Sequence, residues 1–326
     1  MTQPIRISYG FMAVLLLLIG WLHLGTLVLT TLFGYFALRL FSLGRSKLLG
    51  VVLYLIAVGL LGWGLIYFSR QAYITLPQIA DTTIPTVVEF AEKKGIELPF
   101  SDYESARTVA LKEVKNRMAN VGHQLRAAGF QFALLLVGLV VAVSLFLDAS
   151  WGTKDDPQVA RDSLYATVVR ELEMRFRTFF ASFARVIGAQ IIISVINTVL
   201  TAVFLLWNGY PYTTVLIMLT FLCGLLPIIG NLASNTLVIG VGLTLSPRMA
   251  LTALVFLVVI HKLEYFLNSK IIGDQIKNPM WLTLLGLVLG EELMGIPGMI
   301  LAPVVLHYIK VEASRNKVTG SAAAPA

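Results

Sequence analysis

Carboxylates and carboxamides set inside apolar sequence are the residues here that could do chemistry, because a bilayer tolerates such groups chiefly where they bind something or line a path. Asn197 stands in an apolar stretch over 186–206, Asn231 and Asn235 in a second over 212–245, and Glu264 near the end of a third over 251–267. Glu291 and Glu292 interrupt a fourth over 280–308. A partly desolvated acid in such a place can bind a cation, exchange a proton or orient a polar solute. For Glu264 a plainer role is equally open, pairing at headgroup level with Lys262 or Lys270. Glu291 and Glu292 are path residues if their break lies at mid-membrane, and solvated ones if it is only a loop between two helices. His23, His123, His261 and His307 are scattered, without the His-Glu-x-x-His spacing of a metal site, and read as interfacial or packing residues. No Gly-x-Ser-x-Gly elbow occurs, the one cysteine, Cys223, supplies neither a disulfide framework nor a thiolate cluster, and no enzyme, metal or cofactor is expected.

The element that must position these groups is the run over 212–245. As one helix it would be ~50 Å long, too long for a single crossing of a ~30 Å hydrocarbon core and too short for two. It has to break, and the break is written at Leu225-Leu226-Pro227-Ile228-Ile229-Gly230-Asn231. Pro227 lacks a backbone donor, Gly230 accepts dihedrals closed to other residues, and Asn231 and Asn235 can bond the groups a break frees. Irregular backbone survives in lipid only under cover of protein or water, so the break is either a proline kink packed against neighbours or part of a solute path.

The rest of the chain agrees with a membrane setting. Hydrophobic residues make up 57% of the 326 and charged ones 13%, against ~25% charged in a soluble domain. Mean hydropathy is +0.81, and Arg248 is the one charged residue over 186–260. The fold class is therefore all-α and polytopic, with about eight membrane segments that include interrupted or re-entrant helices. The net charge of +7 then belongs to loops at a cytoplasmic leaflet, and nucleic acid is not an expected partner.

In chain order, residues 1–68 read as a short helical hairpin and a third span, and 69–129 as a helical extramembrane insert. Within the insert, Pro85 opens a short helix ending at Lys94, and Ser101-x-x-Glu104 caps another. Its apolar positions Leu111, Val114, Met118, Val121 and Leu125 form a heptad-like stripe that needs a partner, within the subunit or on a neighbouring copy. Residues 130–147 make a fourth span. Residues 148–185 form an amphipathic helix on the cytoplasmic side, along the headgroups or under the bundle, with Leu164, Val168, Leu172, Phe176, Phe179 and Phe183 on its apolar face and arginines that are solvated or lipid-facing. Residues 186–310 are the transport core, and 311–326 a disordered tail. Gly286 and Gly290 are spaced for close helix packing. With the interrupted runs returning to their own side, most of the 25 lysines and arginines collect with the N-terminus, which puts both termini in the cytoplasm.

The layout, together with Gly188 to Gln190, Leu226-Pro227-Ile228-Ile229-Gly230, Leu263-Glu264, Lys270-Ile271-Ile272-Gly273 and Gly295-Ile296-Pro297-Gly298-Met299-Ile300-Leu301-Ala302-Pro303, resembles the autoinducer-2 exporter family of prokaryotic membrane proteins. The likeness covers nearly the whole chain in layout, and 185–310 in motif. Asn231 stands where the family has proline, His261 near its glutamine, and Asn278-Pro279 in place of its His-Pro. These departures fall beside the expected path and bear on the substrate. The resemblance implies export of autoinducer-2 or a similar small polar solute, or sodium(lithium)/proton antiport. It also implies a multi-pass protein of the prokaryotic cytoplasmic membrane, in contact with lipid, and a homo-oligomer with a pentamer as the suggested form.

The expected transport path is then Asn197, Pro227, Gly230, Asn231, Asn235, Glu264, Gly273, Glu291, Glu292 and Pro297. A solute exporter and a cation/proton antiporter would use the same carboxylates. A membrane scaffold, built on the heptad-like stripe, is the alternative of a different class.

Overall fold

The computed structural model describes residues 2–42, 46–95, 121–148, 163–226, 229–272 and 279–315. Those residues fold into ten helices. They are α1 (Gln3–Trp21), α2 (Gly25–Ser42), α3 (Lys47–Lys93), α4 (Val121–Leu147), α5 (Leu164–Trp207), α6 (Thr213–Gly224), α7 (Ile229–Leu245), α8 (Pro247–Ile272), α9 (Met280–Met294) and α10 (Ile296–Arg315). No strand occurs among the described residues. Six of the helices, α1 to α5 and α10, are long and apolar enough to cross a membrane. The polytopic all-α class expected from composition is what the chain adopts.

The helices gather into two compact units. The first holds 1–51, 134–188 and 272–326, and the second 52–133 and 189–271. In the first, the N-terminal hairpin turns through His23, whose φ of 52° is left-handed. Gly138 lies so close to Thr30 that a Cβ would stand 2.8 Å from it. Phe183 is fully buried, with the Phe33 ring edge-on at 5.1 Å. The α9–α10 hairpin closes at Gly295, φ 65°. Gly290 and Gly298 face one another there so closely that neither has room for a side chain, and Gly286 packs on Leu306. The spacing of Gly286 and Gly290 is therefore used for packing.

In the second unit the core is Ile79, Phe204, Leu205, Tyr210, Leu216, Val238, Val241, Ala253 and Leu257. The α7–α8 junction follows from sequence: Pro247 takes the first helical position, and the Ser246 hydroxyl accepts the Met249 amide at 3.1 Å as a cap.

Three boundaries differ from those read in the sequence. Pro85 does not open a helix, because α3 runs unbroken through Pro77 and Pro85 for 47 residues. An internal proline costs ~3 kcal/mol, and here the buried stripe Ala72, Thr75, Ile79, Val88 and Ala91 holds both sides of it. The amphipathic helix and the fifth span are likewise one helix of 44 residues, α5, with no stop signal between Arg185 and Val186. Finally, α10 continues to Arg315, five residues into the segment read as tail, because Glu312 is buried (5% exposed) and Arg315 donates to Thr178. The Ser101–Glu104 cap, the stripe positions Leu111, Val114 and Met118, and the remainder of the tail lie outside the described residues.

Candidate functional site

The interrupted run breaks where its residues require. α6 stops at Gly224, a short turn follows through Leu225 and Leu226, and α7 resumes at Ile229. Pro227 itself lies outside the described residues. A helix end leaves its last carbonyls without intrahelical partners. Two of these are taken by α5: Gln190 donates to the Gly224 carbonyl at 2.6 Å, and the Ser194 hydroxyl to the Phe221 carbonyl at 2.9 Å. The expectation that Asn231 and Asn235 would bond the freed groups is thus corrected for these two carbonyls. Gly230 is buried where a Cβ would collide with the Cys223 carbonyl, so only glycine lets α7 start this close to the end of α6.

Freed from that task, Asn231 turns to Glu264. Its amide donates to both carboxylate oxygens, 2.9 Å to Oε1 and 2.8 Å to Oε2. Asn197 donates to Oε2 at 3.3 Å, and His261 Nδ1 lies 4.0 Å from the same oxygen. The Glu264 side chain is 14% exposed and Asn197 is 6% exposed. Three helices, α5, α7 and α8, thus converge on one carboxylate within the second unit. Among the described residues, the buried Oδ1 of Asn197 has no hydrogen-bond partner. A carboxylate held by amides beside an unused carbonyl oxygen can take a cation, a proton or the hydroxyls of a polar solute.

The other predicted site residues fall elsewhere. Asn235 is half-buried one turn beyond Asn231 on α7. Glu291 and Glu292 belong to the first unit, exposed in the last turn of α9. Pro297 is half-buried in the first turn of α10, where a Cβ on Gly25 would meet its ring at 3.0 Å. Gly273 lies outside the described residues.

One polar cluster was missed. The arginines of α5 were read as solvated or lipid-facing, yet Arg175 is 3% exposed. It donates to Ser8 at 2.8 Å, to Glu312 at 3.1 Å and to Glu171 at 3.1 Å, and its guanidinium lies 3.6 Å from the centre of the Tyr9 ring. Tyr9 in turn donates to Glu312 at 3.0 Å. The cluster ties α1, α5 and α10 together in the first unit. The signal was present in the sequence: Arg175 is one turn before Phe179 and two before Phe183, on the apolar face itself.

The sequence pattern of the AI-2E family transporter matches residues 7–314. YdbI of Bacillus subtilis (strain 168), to which a transport role is ascribed, is 28% identical over 142 residues, 43% of this chain. The matched stretch spans 41% of that relative's length.

Proposed function

The chain belongs to the AI-2E transporter family, and on that premise we propose that it is a secondary membrane transporter that exports a small polar solute of the autoinducer-2 kind, with Glu264 on the solute's path. The observation that carries this reading is the convergence of Asn197 and Asn231 on Glu264 beside a helix break. Each amide donation to the carboxylate is one that a solute hydroxyl can replace in kind, so binding exchanges hydrogen bonds without stripping any. Gly230 and Pro227 belong to the break that lets Asn231 reach the acid, Gly273 follows α8, and Asn235 extends the polar edge of α7. Glu291, Glu292 and Pro297 form a second break, whose part in flux is tested by substituting it separately. Proteoliposomes loaded with autoinducer-2 test the reading. Release faster than from empty liposomes, lost in Glu264→Gln, is the expected result; equal release from both variants counts against it.

A second reading rests on the unpartnered Oδ1 of Asn197. That oxygen and the Glu264 carboxylate are a pair suited to sodium or lithium, in exchange for a proton carried on the same acid. Antiport predicts that a sodium or lithium pulse moves protons across the vesicle wall. A silent internal pH dye removes it.

The same reading puts the chain in the prokaryotic cytoplasmic membrane with both termini cytoplasmic, assembled as a homo-oligomer, with a pentamer the form to test by mass measurement in detergent. Labelling from outside intact cells of a cysteine introduced at either terminus, with Cys223→Ser as background, would overturn the orientation.

A further inference from the structure

A cavity of about 1100 Å³ lies within the first unit, walled by α1, α2, the first residue of α3, α4, α5, α9 and α10. Ordinary small-molecule pockets hold ~300–1,000 Å³. Along α2 its wall runs from Leu27 and Thr31 through Leu32 and Tyr35 to Arg39 and Ser42, steps that keep to one helix face. The distance from Leu27 to Ser42 is ~22 Å at the rise of a helix. That matches one leaflet, half of a ~30 Å core plus a headgroup layer of ~5–7 Å.

The two ends of this wall differ in chemistry. Towards Leu27 it is apolar, with Ile19, Leu289 and Leu301 among its neighbours, whereas Arg39, Ser42, Lys47 and Arg177 cluster at the other end. Arg39 lies 5.8 Å from the centre of the Phe180 ring, one turn from Arg177, and Gly50 packs on Ser42, bringing the start of α3 alongside. No acidic side chain lines the cavity among the described residues. Arg177 is paired with Glu173 at 2.7 Å, which occupies part of its fork.

A wholly apolar occupant would leave the basic end of the wall unused. Apolar walls equally disfavour a polar solute. We propose that the cavity binds one anionic phospholipid, with its phosphate on Arg39 and Arg177 beside Lys47 and its acyl chains along the apolar walls beside α2. Guanidinium groups suit phosphate oxygens geometrically, and aromatic Tyr35 lies just inside them, as residues at a membrane interface do.

The test uses the full chain in detergent with equimolar phosphatidylglycerol and phosphatidylcholine, read by native mass spectrometry. The expected result is one retained phosphatidylglycerol per chain, preferred by ~10-fold or more, since each basic residue near an anionic headgroup contributes about fivefold. Arg39→Gln combined with Arg177→Gln should cut the preference to the roughly fivefold that Lys47 alone can supply, while lipid is still retained. Ala184→Trp, which fills the cavity, should remove both lipids, and Leu32→Trp provides an independent plug. Equal retention of the two lipids by the native chain overturns the proposal. So does a preference that the double substitution leaves undiminished or that survives both plugs, or equal binding of glycerophosphoglycerol, which has the headgroup and no chain.

Discussion

Gln190→Leu isolates the hydrogen bond that closes the helix break. The side chain keeps nearly its volume but loses the donor that reaches the Gly224 carbonyl at 2.6 Å. Gly224 is buried, so its carbonyl has no water to turn to, and an orphaned buried acceptor costs ~1–3 kcal/mol. Ser194→Ala removes the neighbouring donation to Phe221, at 2.9 Å, and should cost a similar amount. Because both bonds hold one turn of backbone, the double variant should depart from additivity by ~0.5–3 kcal/mol. Reversible unfolding in mixed micelles measures all three. Val195→Leu, on the exposed side of the same helix, is the control and should stay within ~0.5 kcal/mol of the native chain. If Gln190→Leu also stays within that ~0.5 kcal/mol, the break is not held from α5 and the reasoning fails.

Asn231→Ala removes both donations to Glu264; hydrogen bonds to a charged group contribute ~1.5–3 kcal/mol, so the variant should lose at least ~1.5 kcal/mol in the unfolding assay. Gly230→Ala drives a methyl into the Cys223 carbonyl and should cost at least ~1–3 kcal/mol in the same unfolding assay. Arg175→Met takes the closer of two arginines from Glu312, a side chain 7% exposed that keeps Arg315 at 3.6 Å and the Tyr9 hydroxyl at 3.0 Å, and should destabilise by up to ~3–5 kcal/mol. Adding Glu312→Leu to that variant should restore part of the loss, because an apolar pair replaces a buried charge that has lost its closest ion-pair partner; a further loss would show that the cluster is not held by its charges.

Much of the fold was legible because hydrocarbon imposes few choices. Apolar runs become helices, and a run too long to cross once has to break where Pro227 and Gly230 stand. The hairpin of α1 and α2 and the turn at Gly295 followed from the same logic. Continuity was harder to read. Pro85 has the look of a helix start, but a proline inside a helix is tolerated when packing on both sides outweighs its local cost, and that packing is tertiary. The junction at 185–186 was read as a boundary because composition changes there, although a change of solvent along a helix does not end it. At the site, Asn197, Asn231 and Glu264 stood out as polar residues in apolar sequence, whereas Ser194 and the role of Gln190 did not, and none of the pairings was legible. Gln190 and Ser194 take carbonyls at the end of α6, leaving Asn231 for Glu264, and no one-dimensional spacing encodes which donor meets which acceptor across three helices. Arg175 shows the opposite case, a charge on an apolar face whose position alone argued for burial.

The most direct test of the account is autoinducer-2 efflux from loaded proteoliposomes, native chain beside Glu264→Gln, with both proteins verified as folded. The account predicts release above that of empty liposomes for the native chain and release indistinguishable from empty liposomes for the variant. Equal release by the two would contradict it, because the carboxylate on which Asn197 and Asn231 converge would then lie off the path.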